Sequence, residues 1–333
     1  MSVTVTAGPD TGAVWHHGNP VAEQRAMLAG GAIVDRGHHG VLELRGPDRL
    51  VLLHSLTSQF TENLAAGSPV AALVLSPQGH IEHGMRGIDD GTSFWAVTEP
   101  GALAPLAAFL ERMKFMMRVE ALDRSDDLRL LWVGGSVEVD ADLAWPSEVG
   151  GGEGAGPRDV PVPRDVLVPR DRPLPGGAGD DQITLAGTWA HDALRIAAGV
   201  PRIGVDTDHK TIPNEIGLYG THLDKGCYRG QETVARVHNL GRPPRRLTRL
   251  WLDGSVDSLP AQGTEVTSDG RTVGTIGSSA RHHEDGPIGL ALLKRGLDEA
   301  ATVNLAHDDV VISASQQTLV DPEVGLHFKA NLR

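Results

Sequence analysis

The stretch Lys225-Gly226-Cys227-Tyr228-Arg229-Gly230-Gln231-Glu232, followed by Arg236, decides how this chain is interpreted. Its cysteine is the only one among 333 residues, so disulfides cannot hold the fold together. A lone cysteine is usually a small buried hydrophobe. Here Lys225 and Arg229 flank the thiol and would favour its thiolate, and the two glycines allow a ligand to approach closely. We therefore predict a reactive Cys227 with Lys225 as its activating neighbour.

The composition indicates a globular protein of two or three domains. The hydrophobic fraction of 40% is sufficient for real cores. A single cysteine indicates a reducing compartment or indifference to redox conditions. Residues 1–20 lack a basic start and an apolar run, so they predict a flexible tail rather than a signal peptide. No run reaches the ~18 apolar residues of a membrane span, and we expect a cytoplasmic protein without membrane contact.

Charge is distributed unevenly along the chain. The formal net charge is -13, which argues against a general nucleic-acid binder. Residues 225–249 nevertheless contain seven Lys or Arg and one acid, Glu232. This basic stretch predicts a specific anionic ligand or a partner surface, and a solvated basic loop is the alternative. Direct tRNA binding through Arg242–Arg249 remains an option that the net charge disfavours.

The pattern of the first half is that of an α+β layer. Val41–Leu44 alternates with period two and ends at a Gly-Pro turn, and Asp48 can cap a helix after it. Further elements follow in the order strand, strand, strand, helix: Ala71–Leu75, Ile81–Ile88, Ser93–Thr98 and Ala102–Met113. Mixed elements in this order predict an α+β fold.

Composition changes twice in the second half. Residues 146–181 are rich in Gly, Pro and Arg-Asp pairs, which predicts an exposed, partly extended insertion. A helix is predicted at Trp189–Gly199. Beyond Pro243-Pro244, regularly spaced short strands predict a small β-barrel: Leu247–Leu252, Glu265–Thr267, Arg271–Ser278, Ile288–Leu293 and Val310–Ala314. The predicted domains are an α+β region, 21–245, and a barrel, 246–333.

The opening stretch, read as Lys-Gly-Cys-Tyr-x-Gly-Gln-Glu-x-x-x-Arg, resembles the signature of the YgfZ-type folate-binding proteins. These are relatives of the glycine-cleavage T protein, an aminomethyltransferase, and of mitochondrial iron–sulfur assembly factors. Further matching segments are Leu194-Arg195-Ile196, Pro201-Arg202-x-Gly204-x-Asp206, Ile212-Pro213-x-Glu215 and Leu240-Gly241-Arg242, with weaker ones at Leu44-x-Gly46-x-Asp48 and Ser76-x-x-Gly79-x-Ile81. The resemblance covers most of the chain outside residues 1–20 and the insertion.

The resemblance implies a fold and a ligand. The implied fold has two interleaved α+β units around a central pocket, followed by a C-terminal β-barrel. The implied ligand is tetrahydrofolate or a one-carbon derivative. The implied function is support of iron–sulfur enzyme assembly or repair, with iron–sulfur assembly proteins or client enzymes as partners.

Candidate folate-binding residues follow from the same resemblance and from the chemistry of folate. Glu215 or Glu232 could accept hydrogen bonds from the pterin, and Tyr228 could stack on it. Arg236, Arg242 or Lys225 could bind the anionic glutamate tail. Arg195 and Gln231 complete the predicted set. Glu232 and Arg236 are also i, i+4 and could be a surface pair, and a lone tyrosine such as Tyr228 is often core.

Two departures separate this chain from the aminomethyltransferases. Their pterin-binding carboxylate lies in an Arg-Leu-Glu-Ala-Gly pattern, where this chain has Ala197. Their aspartate pair after a Gly-x-Ile turn is Glu82-His83 here. Both departures count against folate-dependent aminomethyl transfer with a lipoyl carrier protein, which is the alternative function. An interaction scaffold is the third hypothesis.

No metal site is predicted. The histidine pairs, such as His38-His39, are typical of surface loops, and the chain has no Cys-x-x-Cys. One thiolate cannot hold an iron–sulfur cluster, which normally has four such ligands. Any contact of Cys227 with a cluster would be shared with a partner.

Overall fold

The protein is described from a computed structural model that covers residues 1–150, 160–176, 182–307, 310–321 and 323. The chain forms two compact units. The first comprises residues 1–53, 61–70 and 85–200, and the second comprises 54–60, 71–84 and 201–333. Within the described residues, no helix is long and apolar enough to cross a membrane.

Strands and helices are mixed along the first two hundred residues. The helices are α1 (Pro20–Leu28), α2 (Arg49–Leu56), α3 (Leu103–Met113) and α4 (Thr188–Ala198). The strands are β1 (Val3–Thr4), β2 (Val14–His16), β3 (Ala32–Asp35), β4 (Gly40–Arg45), β5 (Pro69–Leu75), β6 (Ile81–Asp89), β7 (Ser93–Thr98), β8 (Glu120–Asp123), β9 (Leu128–Val133), β10 (Leu143–Pro146), β11 (Arg164–Pro169) and β12 (Thr184–Ala186).

Two five-stranded sheets organise these elements, in the orders β10-β11-β9-β3-β12 and β5-β6-β7-β4-β8. Consecutive strands β3 and β4 belong to different sheets, so the turn at residues 36–39 carries the chain from one sheet to the other. Buried residues from both sheets form one apolar cluster, which includes Val41, Ile88, Leu130 and Trp145. The predicted α+β class is confirmed.

The first twenty residues are not a flexible tail, and that prediction is wrong. β1 and β2 pair antiparallel, and the Trp15 ring stacks on Trp189 at 4.6 Å between ring centroids. The buried Glu23 carboxylate accepts hydrogen bonds from the backbone N–H groups of His17 and Gly187. Strands of two and three residues are too short to show an alternating pattern, which is why the sequence did not reveal them.

The predicted insertion at residues 146–181 contains a central strand. β11 pairs with both β10 and β9, and Val166, Leu167 and Val168 are buried. Asp165 of an Arg-Asp pair is also buried, and its Oδ2 lies 3.2 Å from Arg86 Nη1. This part is therefore not an exposed insertion. Residues 151–159 and 177–181 lie outside the described residues.

The second unit ends in a closed barrel, as predicted. A 3₁₀ helix (Pro213–Ile216) and α5 (Gln231–Leu240) precede the barrel strands β13 (Arg245–Leu252), β14 (Glu265–Ser268), β15 (Arg271–His282), β16 (Gly286–Lys294), β17 (Val303–His307) and β18 (Val310–Thr318). They close in the order β13-β16-β15-β14-β17-β18 around an apolar core. β17 was not predicted from the sequence.

Candidate functional site around Cys227

The loop at residues 225–230 carries the thiol and leads directly into α5. Cys227 is exposed and forms no disulfide. Gly226 does not take a positive φ, and a Cβ at this position would meet no atom within 4 Å. The thiol and its preceding residue therefore face solvent, which is the placement of a reactive cysteine rather than of a core one.

Lys225 is buried, with 4% of its surface exposed. Its ammonium donates hydrogen bonds to the carbonyl oxygens of Thr57 at 2.7 Å, of Gln59 at 3.1 Å and of His54. These three bonds use all three donors of the ammonium. Burial lowers the pKa of Lys225 to about 8. The geometry makes Lys225 the residue that fixes the Cys227 loop onto residues 54–59. Its role as the activating neighbour of Cys227 stays a prediction.

Tyr228 and Gln231 hold the same loop from the inside. The Lys225 ammonium lies 5.0 Å from the centre of the Tyr228 ring, and burial raises the pKa of the phenol to about 12. The Gln231 side chain accepts from the Tyr228 backbone N–H at 3.4 Å and donates to the Lys225 carbonyl at 3.3 Å. Both residues were predicted to bind folate, and the structure places both in support of the loop.

Two glycines bring the turn at residues 76–79 against the start of α5. Gly230 precedes the helix with φ 80°, and a Cβ there would lie 2.5 Å from the Ser76 carbonyl oxygen. Gly79 has φ 83°, and a Cβ there would lie 2.8 Å from the Thr233 Cβ. Only glycine combines this backbone conformation with this spacing. The glycine of the Gly-Gln-Glu motif is thus explained by packing.

Arg229 pairs with Glu82 across this turn. Its Nη1 and Nη2 donate to the two Glu82 carboxylate oxygens at 3.0 and 3.4 Å, and both side chains are about one-third exposed. Glu82 occupies the position at which the aminomethyltransferases have an aspartate. Its carboxylate is neutralised by Arg229 here.

Glu215 belongs to a buried ionic network instead of an open ligand site. It is 0% exposed, and Arg245 Nε and Nη2 donate to its two oxygens at 2.8 and 2.9 Å. Arg245 also donates to Asp208 at 2.7 and 3.1 Å. Burial alone would lower the pKa of Arg245, but the hydrogen bonds that it donates to Glu215 and Asp208 outweigh this effect and raise the pKa. The predicted pterin contact of Glu215 thus competes with a guanidinium.

Glu232 and Arg236 lie one turn apart on α5, and both are exposed. They form no ion pair with each other or with any other described residue. Nearby on the 3₁₀ helix, Asn214 donates to the Val234 carbonyl at 3.3 Å. Asn214 Oδ1 is buried and accepts no hydrogen bond within the described part of the chain. This unsatisfied acceptor occupies the unspecified position of Ile212-Pro213-x-Glu215, and the sequence analysis did not single it out.

Arg195, the remaining predicted ligand residue, lies in the first unit on α4. It is 2% exposed, its Nε donates to Asp192 at 3.0 Å, and its Nη1 donates to the Val200 carbonyl at 2.8 Å. These bonds close the end of α4, where Gly199 takes a left-handed conformation with φ 72°. The role of Arg195 in ending α4 therefore explains why an arginine stands in the Leu194-Arg195-Ile196 segment.

The predicted basic stretch is largely engaged within the protein. The buried Arg246 donates to the carbonyl oxygens of Arg295 and Leu297 at 2.7 and 3.0 Å. Arg249 donates to Gln317 at 2.5 Å, and Arg242 pairs with Glu323. Together with Lys225 and Arg245, most of these cations have structural partners. Arg236 is the exposed exception.

Comparisons with known proteins agree with this architecture. Residues 245–320 match the CAF17 C-terminal β-barrel domain. The tRNA-modifying protein YgfZ of Yersinia enterocolitica is 43% identical over 77 residues, 22% of this chain and 23% of that protein. YgfZ of Yersinia pestis is 33% identical over 134 residues, 38% of this chain and 40% of that protein. A putative chloroplastic transferase of Arabidopsis thaliana is 27% identical over 288 residues, 80% of this chain and 66% of that protein.

The fold is similar to that of the glycine cleavage system aminomethyltransferase T from Bartonella henselae. The TM-score is 0.75 at 17% sequence identity, and the match covers 97% of this chain and 95% of that one. The resemblance to YgfZ-type proteins and the aminomethyltransferase-like fold are therefore confirmed. The matched regions cover between 23% and 66% of the length of these curated relatives.

Proposed function

We propose that this chain binds tetrahydrofolate or a one-carbon derivative and supports the assembly or repair of iron–sulfur enzymes, with Cys227 as its reactive group. The observation that carries the proposal is the exposed thiol on a loop fastened by the buried Lys225 ammonium. A cysteine with only a packing role would lie inside the core. A thiol that reacts with a partner must be accessible and held in place, and this loop provides both.

Three residues of the second unit suit a folate. The Arg236 guanidinium offers a charge-assisted partner to the anionic glutamate tail. Glu232 can accept hydrogen bonds from the amino and ring N–H groups of the pterin. Asn214 Oδ1 is a buried acceptor without a donor among the described residues, and a ligand N–H would satisfy it. These features support a reduced folate as the ligand.

The alternative of aminomethyl transfer rests on the fold alone. Ala197 stands where the aminomethyltransferases have a pterin-binding carboxylate, and the Glu82 carboxylate is neutralised by Arg229. The first difference removes a carboxylate, and in the second the carboxylate is paired with a cation. Fold similarity by itself does not carry a reaction from one protein to another.

The name of the YgfZ relatives connects them with tRNA modification. We infer that the link in this chain is indirect, through an iron–sulfur enzyme that modifies tRNA. The internal hydrogen bonds of Arg245 and Arg246 support this inference, because they leave few cations for a phosphate backbone. Direct binding would show instead as tRNA retention that falls steeply with salt.

The folate half of the proposal is tested by calorimetric titration with tetrahydrofolate, together with mass spectrometry of ligands released on denaturation. We expect saturable binding that Cys227→Ala preserves. Absence of heat and of co-purified folate would overturn this half.

The thiol half is tested in cells from which the gene has been deleted. Cys227→Ala is expected to fold and bind folate normally but to leave iron–sulfur enzyme activity at the level of the deletion. Cys227→Ser is the matched control for side-chain shape. Full activity of the alanine variant would remove the thiol from the mechanism.

A further inference from the structure

Three side chains that commonly bind metal ions converge in the first unit. Asp10, His38 and His39 each place one ligand atom within 4.8 Å of the others. Asp10 lies in the loop between β1 and β2, and the two histidines lie in the turn between β3 and β4. Asp10 Oδ1 lies 3.0 Å from His38 Nε2, and the two imidazole centroids are 4.7 Å apart.

The site is largely shielded from water. His39 is 5% exposed, and the side chains of His38 and Asp10 are 14% and 13% exposed. Histidine pairs in solvated loops are not shielded in this way. A partly dehydrated carboxylate beside two imidazoles is a strong donor set for a transition metal.

The hydrogen bonds of His39 fix the tautomer that a ligand needs. Its Nδ1 lies 3.0 Å from the Thr98 carbonyl oxygen, so this nitrogen must carry the proton. Its Nε2 is therefore an acceptor, and Arg36 Nη2 donates to it at 3.2 Å. A guanidinium can only donate, which agrees with the assignment. An imidazole that donates from one nitrogen to a carbonyl and presents the other is typical of metal ligands.

Arg36 donates to the His39 nitrogen that a metal ion would need, and the Asp165 carboxylate offers Arg36 another acceptor. Its Nη1 lies 3.6 Å from Asp165 Oδ1, beyond hydrogen-bond distance. That oxygen is buried and accepts no hydrogen bond from the described residues. A short movement of Arg36 away from His39 would give Asp165 a donor as the metal takes the imidazole.

We propose that Asp10, His38 and His39 bind a late first-row divalent transition metal such as Zn²⁺. Two imidazoles and one carboxylate suit Zn²⁺, whereas Mg²⁺ and Ca²⁺ prefer oxygen ligands throughout. Three protein ligands leave a fourth position for water. The ion would join the N-terminal segment to the turn that connects the two sheets. This proposal is independent of folate binding and of Cys227.

The test is a calorimetric titration of the full chain with Zn²⁺ after treatment with a chelator. We expect one saturable site per chain. Asp10→Asn and His38→Ala should each weaken binding by at least about tenfold, the loss that even changes around a metal ligand produce. His17→Ala, in the same segment but outside the trio, and Cys227→Ala should bind Zn²⁺ as the wild type does.

Arg36→Lys separates metal binding from a structural role. Lysine keeps a positive charge near Asp165 but takes the guanidinium away from His39, so Zn²⁺ should bind several-fold more tightly. If the three side chains only hold the loop and the turn together by hydrogen bonds, Arg36→Lys should not bind Zn²⁺ more tightly. Absence of saturable binding, or equal affinity in the wild type, Asp10→Asn and His38→Ala, would overturn the proposal. Unfolding curves in metal-free buffer establish that each variant is folded.

Discussion

The Lys225 ammonium donates a hydrogen bond of 2.7 Å to the carbonyl oxygen of Thr57, a residue 168 positions earlier in the chain. Two further bonds, to His54 and Gln59, complete a cage of carbonyl oxygens. The lysine of the motif thereby fixes the position of the loop, and the cysteine two residues later is left exposed. Different residues of one short motif thus fix the loop and expose the thiol.

Lys225→Met should therefore destabilise the protein. The buried carbonyl oxygens of Thr57 and Gln59 would lose their donor, at a cost of about 1–3 kcal/mol in the free energy of unfolding. Urea denaturation measures this change. Lys210→Met is the control, because Lys210 is exposed and should change stability by less than about 0.5 kcal/mol. Equal stability of both variants would contradict the cage.

The contribution of Lys225 to stability should depend on pH. Burial lowers its pKa from 10.5 to about 8 in the folded protein. Between these two values the unfolded chain binds more protons at Lys225 than the folded protein does, so stability rises with pH through this window. The wild type should gain stability relative to Lys225→Met between about pH 8 and about pH 10.5. A relative loss would mean that the carbonyl cage holds the ammonium more strongly than water does.

Substitution of Arg245 should destabilise the protein far more than substitution of Arg242, which lies three residues earlier. Arg245→Met would leave the fully buried Glu215 carboxylate without its cation, and breaking a buried pair costs about 3–5 kcal/mol. Arg242→Met removes a half-exposed pair with Glu323 and should cost less than about 1 kcal/mol. Thermal unfolding of both variants checks this. Similar small losses would return Arg245 to the set of cations available for an anionic ligand.

If Arg236 binds the glutamate tail of a folate, its effect should grow with the number of glutamates. Arg236→Met should weaken a polyglutamylated tetrahydrofolate more than the monoglutamate, as measured by calorimetry. Arg271→Met, an exposed cation in the barrel, is the control. Unfolding should be unchanged in both variants, because Arg236 has no ion pair among the described residues. An equal loss for both ligands would place Arg236 away from the tail.

The sequence predicted the features that are encoded locally. The α4 helix, its terminal Gly199 and most barrel strands follow from periodicity and turn residues. β11 was missed because its apolar core, Val166-Leu167-Val168, is only three residues long and is surrounded by Pro and Arg-Asp pairs. β17 was missed for a similar reason, since Val303 and Leu305 alternate too briefly to indicate a strand.

The site was predicted less completely, because its partners are distant in sequence. The exposed thiol was anticipated from its neighbours. No local pattern, however, indicates that Lys225 reaches residues 54–59 or that Glu215 meets Arg245. Lys225, Arg195 and Glu215 were therefore interpreted as ligand contacts, although each has a partner within the folded chain. Asn214 was overlooked because a buried, unsatisfied oxygen exists only in the folded structure.

Substitution by alanine should destabilise the protein at one glycine of the opening stretch and leave its stability unchanged at the other. Gly230 has φ 80°, and a Cβ would lie 2.5 Å from the Ser76 carbonyl oxygen, so Gly230→Ala combines backbone strain with a clash. We expect it to cost about 1–3 kcal/mol. Gly226 has neither constraint, and Gly226→Ala should leave the free energy of unfolding unchanged within about 0.5 kcal/mol.

If Gly226→Ala nevertheless impairs activity in cells, this glycine serves the approach of a partner to Cys227. If Gly230→Ala is as stable as the wild type, the turn at residues 76–79 does not pack on α5 as described.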